Sequence, residues 1–211
     1  MVVVDNQKIY KAIIINKNFD DANYNIGITF QKLNKFDESE KYLEKINLKN
    51  FLYFDASLYL AISKRKLRKN NESIKILNDL ILKKKLVDSC YYNIGLAHQS
   101  SNDHVQAIKF FDKAVKIKPD YYQAYNSKGY SFYKIKNYEE ALKFYKKAIE
   151  ANPQYLIAYD NIAIIFRQIG EIKKAIKYYK KALNFNRNFV NAKFGLSMCY
   201  LQTGKFDKYE L

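Results

Sequence analysis

The chain has no tryptophan, two prolines, six glycines, two cysteines and two histidines among 211 residues. So few prolines and glycines exclude the turn-dense sandwiches and barrels and leave helices as the expectation. Cys90 and Cys199 are too few for a disulfide scaffold and point to a reducing compartment. No run reaches the roughly 18 apolar residues of a membrane span. Met1 to Asn6 holds three valines but neither the basic leader nor the apolar length of a signal peptide. A cytoplasmic location without membrane insertion is expected. Acidic groups are also scarce: 37 Lys and Arg against 21 Asp and Glu give a formal charge of +16, so the surface attracts anions of some kind. A 48% apolar share suffices for a core, and the length fits one domain or a short array, not a multidomain enzyme.

Internal periodicity decides the fold class. Ala107, Ala141 and Ala175 lie 34 residues apart, as do Ala114, Ala148 and Ala182, and Pro119 and Pro153 share the interval. With these prolines at position 32, units begin at Asp20, Phe54, Asp88, Tyr122, Leu156 and Val190 in one phase. Each reads as two amphipathic helices, A over about positions 2–15 and B over about 18–31, joined by a short polar turn. Position 8 is small (Gly27, Ala61, Gly95, Gly129, Ala163, Ser197), as is position 20 (Ser39, Ser73, Ala107, Ala141, Ala175). Position 24 is large: Leu43, Leu77, Phe111, Tyr145 and Tyr179. Helices A and B should therefore approach closely at the small residues, with the large side chain filling the adjacent space.

Tyr125, Gly129, Phe132, Ala141, Tyr145, Ala148 and Pro153 resemble the tetratricopeptide repeat signature, with Tyr in place of its usual Trp. The resemblance covers nearly the whole chain. It implies an all-α fold, a right-handed α–α superhelix (solenoid) of helical hairpins whose A helices line a concave groove that receives peptides. The expected organisation is a lone helix B of an incomplete repeat over 1–19, then repeats over 20–53, 54–87, 88–121, 122–155 and 156–189, and a truncated repeat over 190–211. The repeat over 54–87 is degenerate, with Ser57, Lys64 and Leu80 at signature positions and no proline. The lone helix is placed at Gln7–Asn16, with Ile9 and Ala12 at positions 24 and 27; at the far end Tyr209 stands where a small residue is expected. Solenoids need polar caps. Uncapped ends suggest a fragment of a longer chain or, alternatively, a homodimer through those ends.

The candidate reactive residues fall on packing positions. His98 and His104 stand where other units have Phe or Tyr, Cys90 replaces an Ala, and Cys199 occupies the slot of Ala97 and Ser131. A zinc site needs four ligands, and a nucleophilic thiol needs a base and an electropositive setting. Neither pattern is present, so no metal, cofactor, small-molecule substrate or catalytic residue is expected.

By the same resemblance, positions 5, 9, 12 and 13 of helix A face a ligand. They supply Tyr24, Ile28, Gln31 and Lys32, then Arg65 and Lys66, then Tyr92 and Gln99, then Asn126, Tyr130 and Lys134, then Arg167. Aromatic and apolar contacts alternating with cations suit an extended protein segment with acidic and apolar residues. Chaperone-binding members of the family grip a terminal carboxylate with Lys and Asn on one A helix and Lys and Arg two units on. Here Tyr24, Leu58, Tyr92, Asn126 and Asp160 stand where the first Lys should be, so that mode is not expected. Position 6 carries Asn25, Asn93 and Asn161 in alternate units, similar to the asparagine ladder by which the repeats of O-GlcNAc transferase hold a peptide backbone. An amide donates to a carbonyl and accepts from an N–H at once. Ordinary surface asparagine in an Asn-rich chain is the competing reading, and Tyr59 and Ser127 interrupt the series.

Charge comes in blocks. Residues 54–87 carry nine basic and three acidic groups, residues 156–189 seven and two, and residues 20–53 one more acid than base. Nucleic-acid binding needs a basic track matched to phosphates and ranks third. The leading expectation is a protein-interaction scaffold that binds an extended peptide or partner protein in the groove. The alternative is the repeat portion of a larger protein glycosyltransferase, presenting substrate to a domain outside these residues. Ala141→Leu should overpack the A/B contact and lower stability by about 1–3 kcal/mol. An unchanged thermal midpoint would contradict the register.

Overall fold

Small residues on facing helices, separated by polar breaks, fold this chain into hairpins. The computed structural model describes residues 19–204. Among them are eleven helices and no strand: α1 (Phe19–Lys32), α2 (Phe36–Leu43), α3 (Tyr53–Lys66), α4 (Asn70–Leu82), α5 (Val87–Ser100), α6 (His104–Ile117), α7 (Tyr122–Lys134), α8 (Tyr138–Ala151), α9 (Leu156–Gln168), α10 (Ile172–Phe185) and α11 (Val190–Gln202). The lone helix expected at Gln7–Asn16, and Tyr209, lie outside the described residues. The chain divides after Asp103 into two units, one holding α1–α5 and the other α6–α11. Within each unit consecutive helices pack together, and A helices also touch the next A helix: α1 with α3, α3 with α5, α7 with α9, and α9 with α11.

The A/B contact is as tight as the residue sizes require. A Cβ added at Gly129 would stand 2.8 Å from the Tyr145 ring, and one at Gly27 2.6 Å from Leu43. Leu77, Phe111, Tyr145 and Tyr179 are fully buried. The turn from A to B uses one device throughout. Asn34, Arg68, Asn102, Lys136, Gly170 and Gly204 all occupy position 15 with φ between 57° and 82°. The next N–H then bonds back across the helix end, as Lys35 N–H does to Phe30 O at 2.8 Å and Asn137 N–H to Phe132 O at 2.9 Å, so the last carbonyls are satisfied. The turn from B to the next A is held by asparagine: Asn152 and Asn186 side chains accept from Gln154 N–H at 3.0 Å and Asn188 N–H at 2.9 Å.

Two features depart from the simple periodic expectation. The period predicts helix B of the first repeat through about position 31, yet α2 ends at Leu43 and the chain continues in turns. Asn47 and Asn50 cause this, since their side chains accept from the N–H groups of Lys49 and Leu52 at 3.0 and 2.8 Å and offer the backbone an alternative to helix. The degenerate repeat replaces proline with Lys85 and turns through two further left-handed residues, Lys84 and Leu86, at φ 55° and 50°.

That repeat also puts a cation where its neighbours carry aromatic rings. Lys64 is 7% exposed, and its Nζ lies 2.6 Å from Glu40, 3.0 Å from Glu44 and 2.9 Å from Glu72; Lys69 reaches Glu40 at 3.0 Å. Burial alone would lower the lysine's pKa, but hydrogen bonds to Glu40, Glu72 and Glu44 outweigh it and raise it. Burial likewise pushes Glu40 up, and Lys64 and Lys69 overcome this and hold its carboxyl below the usual range. Lys64→Met strands carboxylates beside one another and should cost about 3–5 kcal/mol in urea unfolding at neutral pH. Because Glu40 is depressed in the folded state, its contribution is complete above the unfolded value of 4.5 and disappears as pH falls through the lower folded value. The acid-induced loss of stability should therefore be shallower in the variant. A neutral-pH loss near zero would contradict the network's role.

Candidate functional site

At two seams position 5 of one A helix meets position 6 of the next, an offset of 35 residues. In the first unit Tyr24 on α1 meets Tyr59 on α3 edge to face, ring centroids 6.0 Å apart. In the second, Asn161 on α9 donates through Nδ2 to Asn126 Oδ1 on α7 at 2.9 Å. Position 12 crosses the same seam: Gln31 Nε2 on α1 donates to Tyr59 O at 2.5 Å and Ser63 Oγ at 2.7 Å on α3. Arg65 has the same position on α3. Burial pulls its pKa down, Tyr92 opposes this, and its Nε is sealed without a hydrogen-bond partner. Arg167 Nε on α9 is sealed in the same way, and its guanidinium addresses the Tyr179 hydroxyl.

The residues expected at a ligand surface thus divide by what else they do. In the first unit Asn25, Lys32 and Lys66 are exposed, while Tyr24, Ile28, Arg65, Tyr92 and Gln99 are half-buried. In the second, Tyr130 and Lys134 are exposed, Asn161 and Arg167 half-buried, and Asn126 buried. The three position-6 asparagines are not equivalent. Asn25 faces solvent, Asn93 is buried with Nδ2 donating to Ser89 O of its own helix at 2.9 Å, and Asn161 bonds Asn126. Tyr130 keeps 41% of its surface exposed, with one edge against the His104 ring at 6.2 Å.

Two buried charges escaped the sequence reading. Lys128 on α7 is 6% exposed, pairs with Asp112, and holds its ammonium 3.7 Å from the Phe144 ring centroid. Asp160 on α9 is 7% exposed, and burial pushes its pKa up to about 6. Its signal in the sequence was being one of only two acids within 156–189. A cavity of about 490 Å³ opens where α2 stops, between Leu43, Ile46, Leu60 and the Lys64 network. Cys90 and Cys199 are fully buried and not joined in a disulfide; burial, then Asp88, pushes the Cys90 thiol up to about 12. Among the described residues no group of His, Cys, Asp and Glu is arranged to hold a metal ion, and no helix is long and apolar enough to cross a membrane.

Models of the tetratricopeptide repeat match residues 20–46, 89–121 and 120–188. The chain belongs to the tetratricopeptide repeat family, and its fold class is the all-α helical-hairpin solenoid of that family. Similar solved structures include TTC0263, a thermophilic TPR protein in Thermus thermophilus, with TM-score 0.71, 16% identity, and coverage of 86% of this chain and 99% of that one. MamA aligns with TM-score 0.62 and 23% identity over 77% of this chain and 95% of its own. MamA 41-end from Desulfovibrio magneticus RS-1 aligns with TM-score 0.63 and 14% identity over 82% and 97%. At these identities the likeness shows the fold alone. No curated protein matches the sequence.

Asp160 allows a direct check of the site's electrostatics. Its folded pKa of about 6 exceeds the ordinary 3.8, so the folded state holds the proton longer than the unfolded chain. The carboxylate therefore subtracts stability as pH rises between those values, and the whole penalty applies above them. Asp160→Asn should be more stable than the parent at pH 8 by about 1–3 kcal/mol, with the gain shrinking toward pH 4. An equal difference at both pH values in urea unfolding would contradict this environment.

Proposed function

We propose that the A-helix face binds an extended peptide, or an extended segment of a partner protein, as the working surface of a protein-interaction scaffold. The observation that carries this reading is Tyr130, a large ring left 41% exposed on a helix whose neighbouring positions are buried. Lys134 stands one turn away on the same face. A flat ring with a polar edge gives contact area at small entropic cost, and a nearby cation adds orientation and steering. Lys32 and Lys66 give the first unit a comparable exposed cationic element. Family membership supports protein partners in general, and the exposed lysines favour acidic residues among the contacts. A cytoplasmic setting, in which Cys90 and Cys199 stay reduced, accords with this reading.

The reading makes Tyr130 a major contact. Tyr130→Ala should weaken binding of a library-selected peptide by about tenfold or more, the loss of one aromatic anchor. Helicity by circular dichroism should not change. Unchanged affinity, measured by fluorescence anisotropy, would contradict the placement of the ligand on this face.

A further inference from the structure

Two of the four seams between A helices within the units share one pairing, and the α9–α11 seam lacks it. Position 5 is answered by position 6 of the next A helix at Tyr24 with Tyr59 and at Asn126 with Asn161. One repeat beyond the second pair, the same offset sets Asp160 on α9 against Gly195 on α11, and glycine has no side chain with which to answer. Nor is that glycine replaceable. A Cβ there would overlap the ring of Tyr179 and stand 2.6 Å from its hydroxyl. The ring packing that demands Gly195 thereby leaves Asp160 unanswered from α11.

The described group that feels its charge is the Tyr179 hydroxyl, which supplies no positive charge and is addressed by Arg167. Asp160 is 7% exposed and has no hydrogen bond or ion pair with any described residue. Residues 156–189 carry seven Lys and Arg. The other acid of that stretch, Glu171, pairs with Lys174 at 3.2 Å. Arg167, about two turns along α9, addresses the Tyr179 hydroxyl instead. A carboxylate with so little contact with water and no partner is costly, and an asparagine, as at Asn126, would fill the same place more cheaply. The carboxylate therefore fits a partner that arrives from outside the chain.

We propose that Asp160 receives the ammonium or guanidinium of a Lys or Arg side chain of the bound peptide. This rests on the groove reading above and sharpens it. With Lys134 exposed on α7 and Asp160 unpaired on α9, the preferred ligand is a segment of mixed charge rather than a purely acidic one.

The test screens the full chain and its Asp160→Asn variant against one positional library of short peptides. Both peptide ends are blocked, so that only side chains can supply the cation. The parent should favour Lys or Arg over norleucine at one position by about tenfold, the scale of a charge-assisted hydrogen bond. The variant should lose that preference and keep its preferences elsewhere. A parent without a basic preference, or a variant that retains it, overturns the Asp160 subsite and leaves the groove reading standing. Failure of both proteins to bind any peptide overturns the two together.

Discussion

In the first hairpin of each unit that holds both its helices, the position-24 side chain packs where helix A offers only a hydrogen. Tyr145 lies against Gly129 and Leu43 against Gly27 at distances that leave no room for a Cβ. Full burial of such a side chain is worth about 2–3 kcal/mol, and it sets how closely A and B approach. The same side chain also reaches the seam to the next repeat. Tyr179 fills the space beneath Gly195, and its hydroxyl lies within the influence of Asp160 and Arg167. One packing residue therefore joins the hairpin core to the A-helix face proposed to bind, and the absence of a side chain at Gly195 is a consequence of the fold.

The first unit meets the same packing demand with charge. Where the other repeats place Phe, Tyr or His at position 11, Lys64 gathers Glu40, Glu44 and Glu72. An ion cluster is a weaker source of stability than a ring of equal volume, but it is directional, and removing its central Lys64 leaves the carboxylates without their shared cation. It borders the cavity left by the early end of α2. The second unit keeps aromatic packing and uses a cation differently, laying Lys128 on the Phe144 ring.

Much of this was legible in the sequence. The 34-residue period, the small residues at positions 8 and 20 and the large one at position 24 carry the helical hairpins directly, because burial in a repeat is a local and periodic constraint. The left-handed turn was legible only in part. Four of the six position-15 residues are Asn or Gly, but Arg68 and Lys136 adopt the same backbone and conceal it. The short α2 was hidden because Asn47 and Asn50 act through side-chain hydrogen bonds that a hydrophobic period does not register. The candidate site was least visible. Its pairing runs at an offset of 35 residues rather than 34, between helices that are not consecutive, so alignment of equivalent positions passes over it. Asn126 and Asn161 looked like separate ligand-facing groups and are joined to each other.

Residue-resolved tyrosine labelling of the native chain, read by mass spectrometry, measures the central contact most directly. Tyr145 and Tyr179 are each 1% exposed, and burial raises both hydroxyls, that of Tyr179 to about 12, whereas Tyr130 is 41% exposed. The position-24 rings should resist modification until the chain unfolds, while Tyr130 reacts at once. Labelling of Tyr145 and Tyr179 at the rate of Tyr130 in the folded protein would contradict the account.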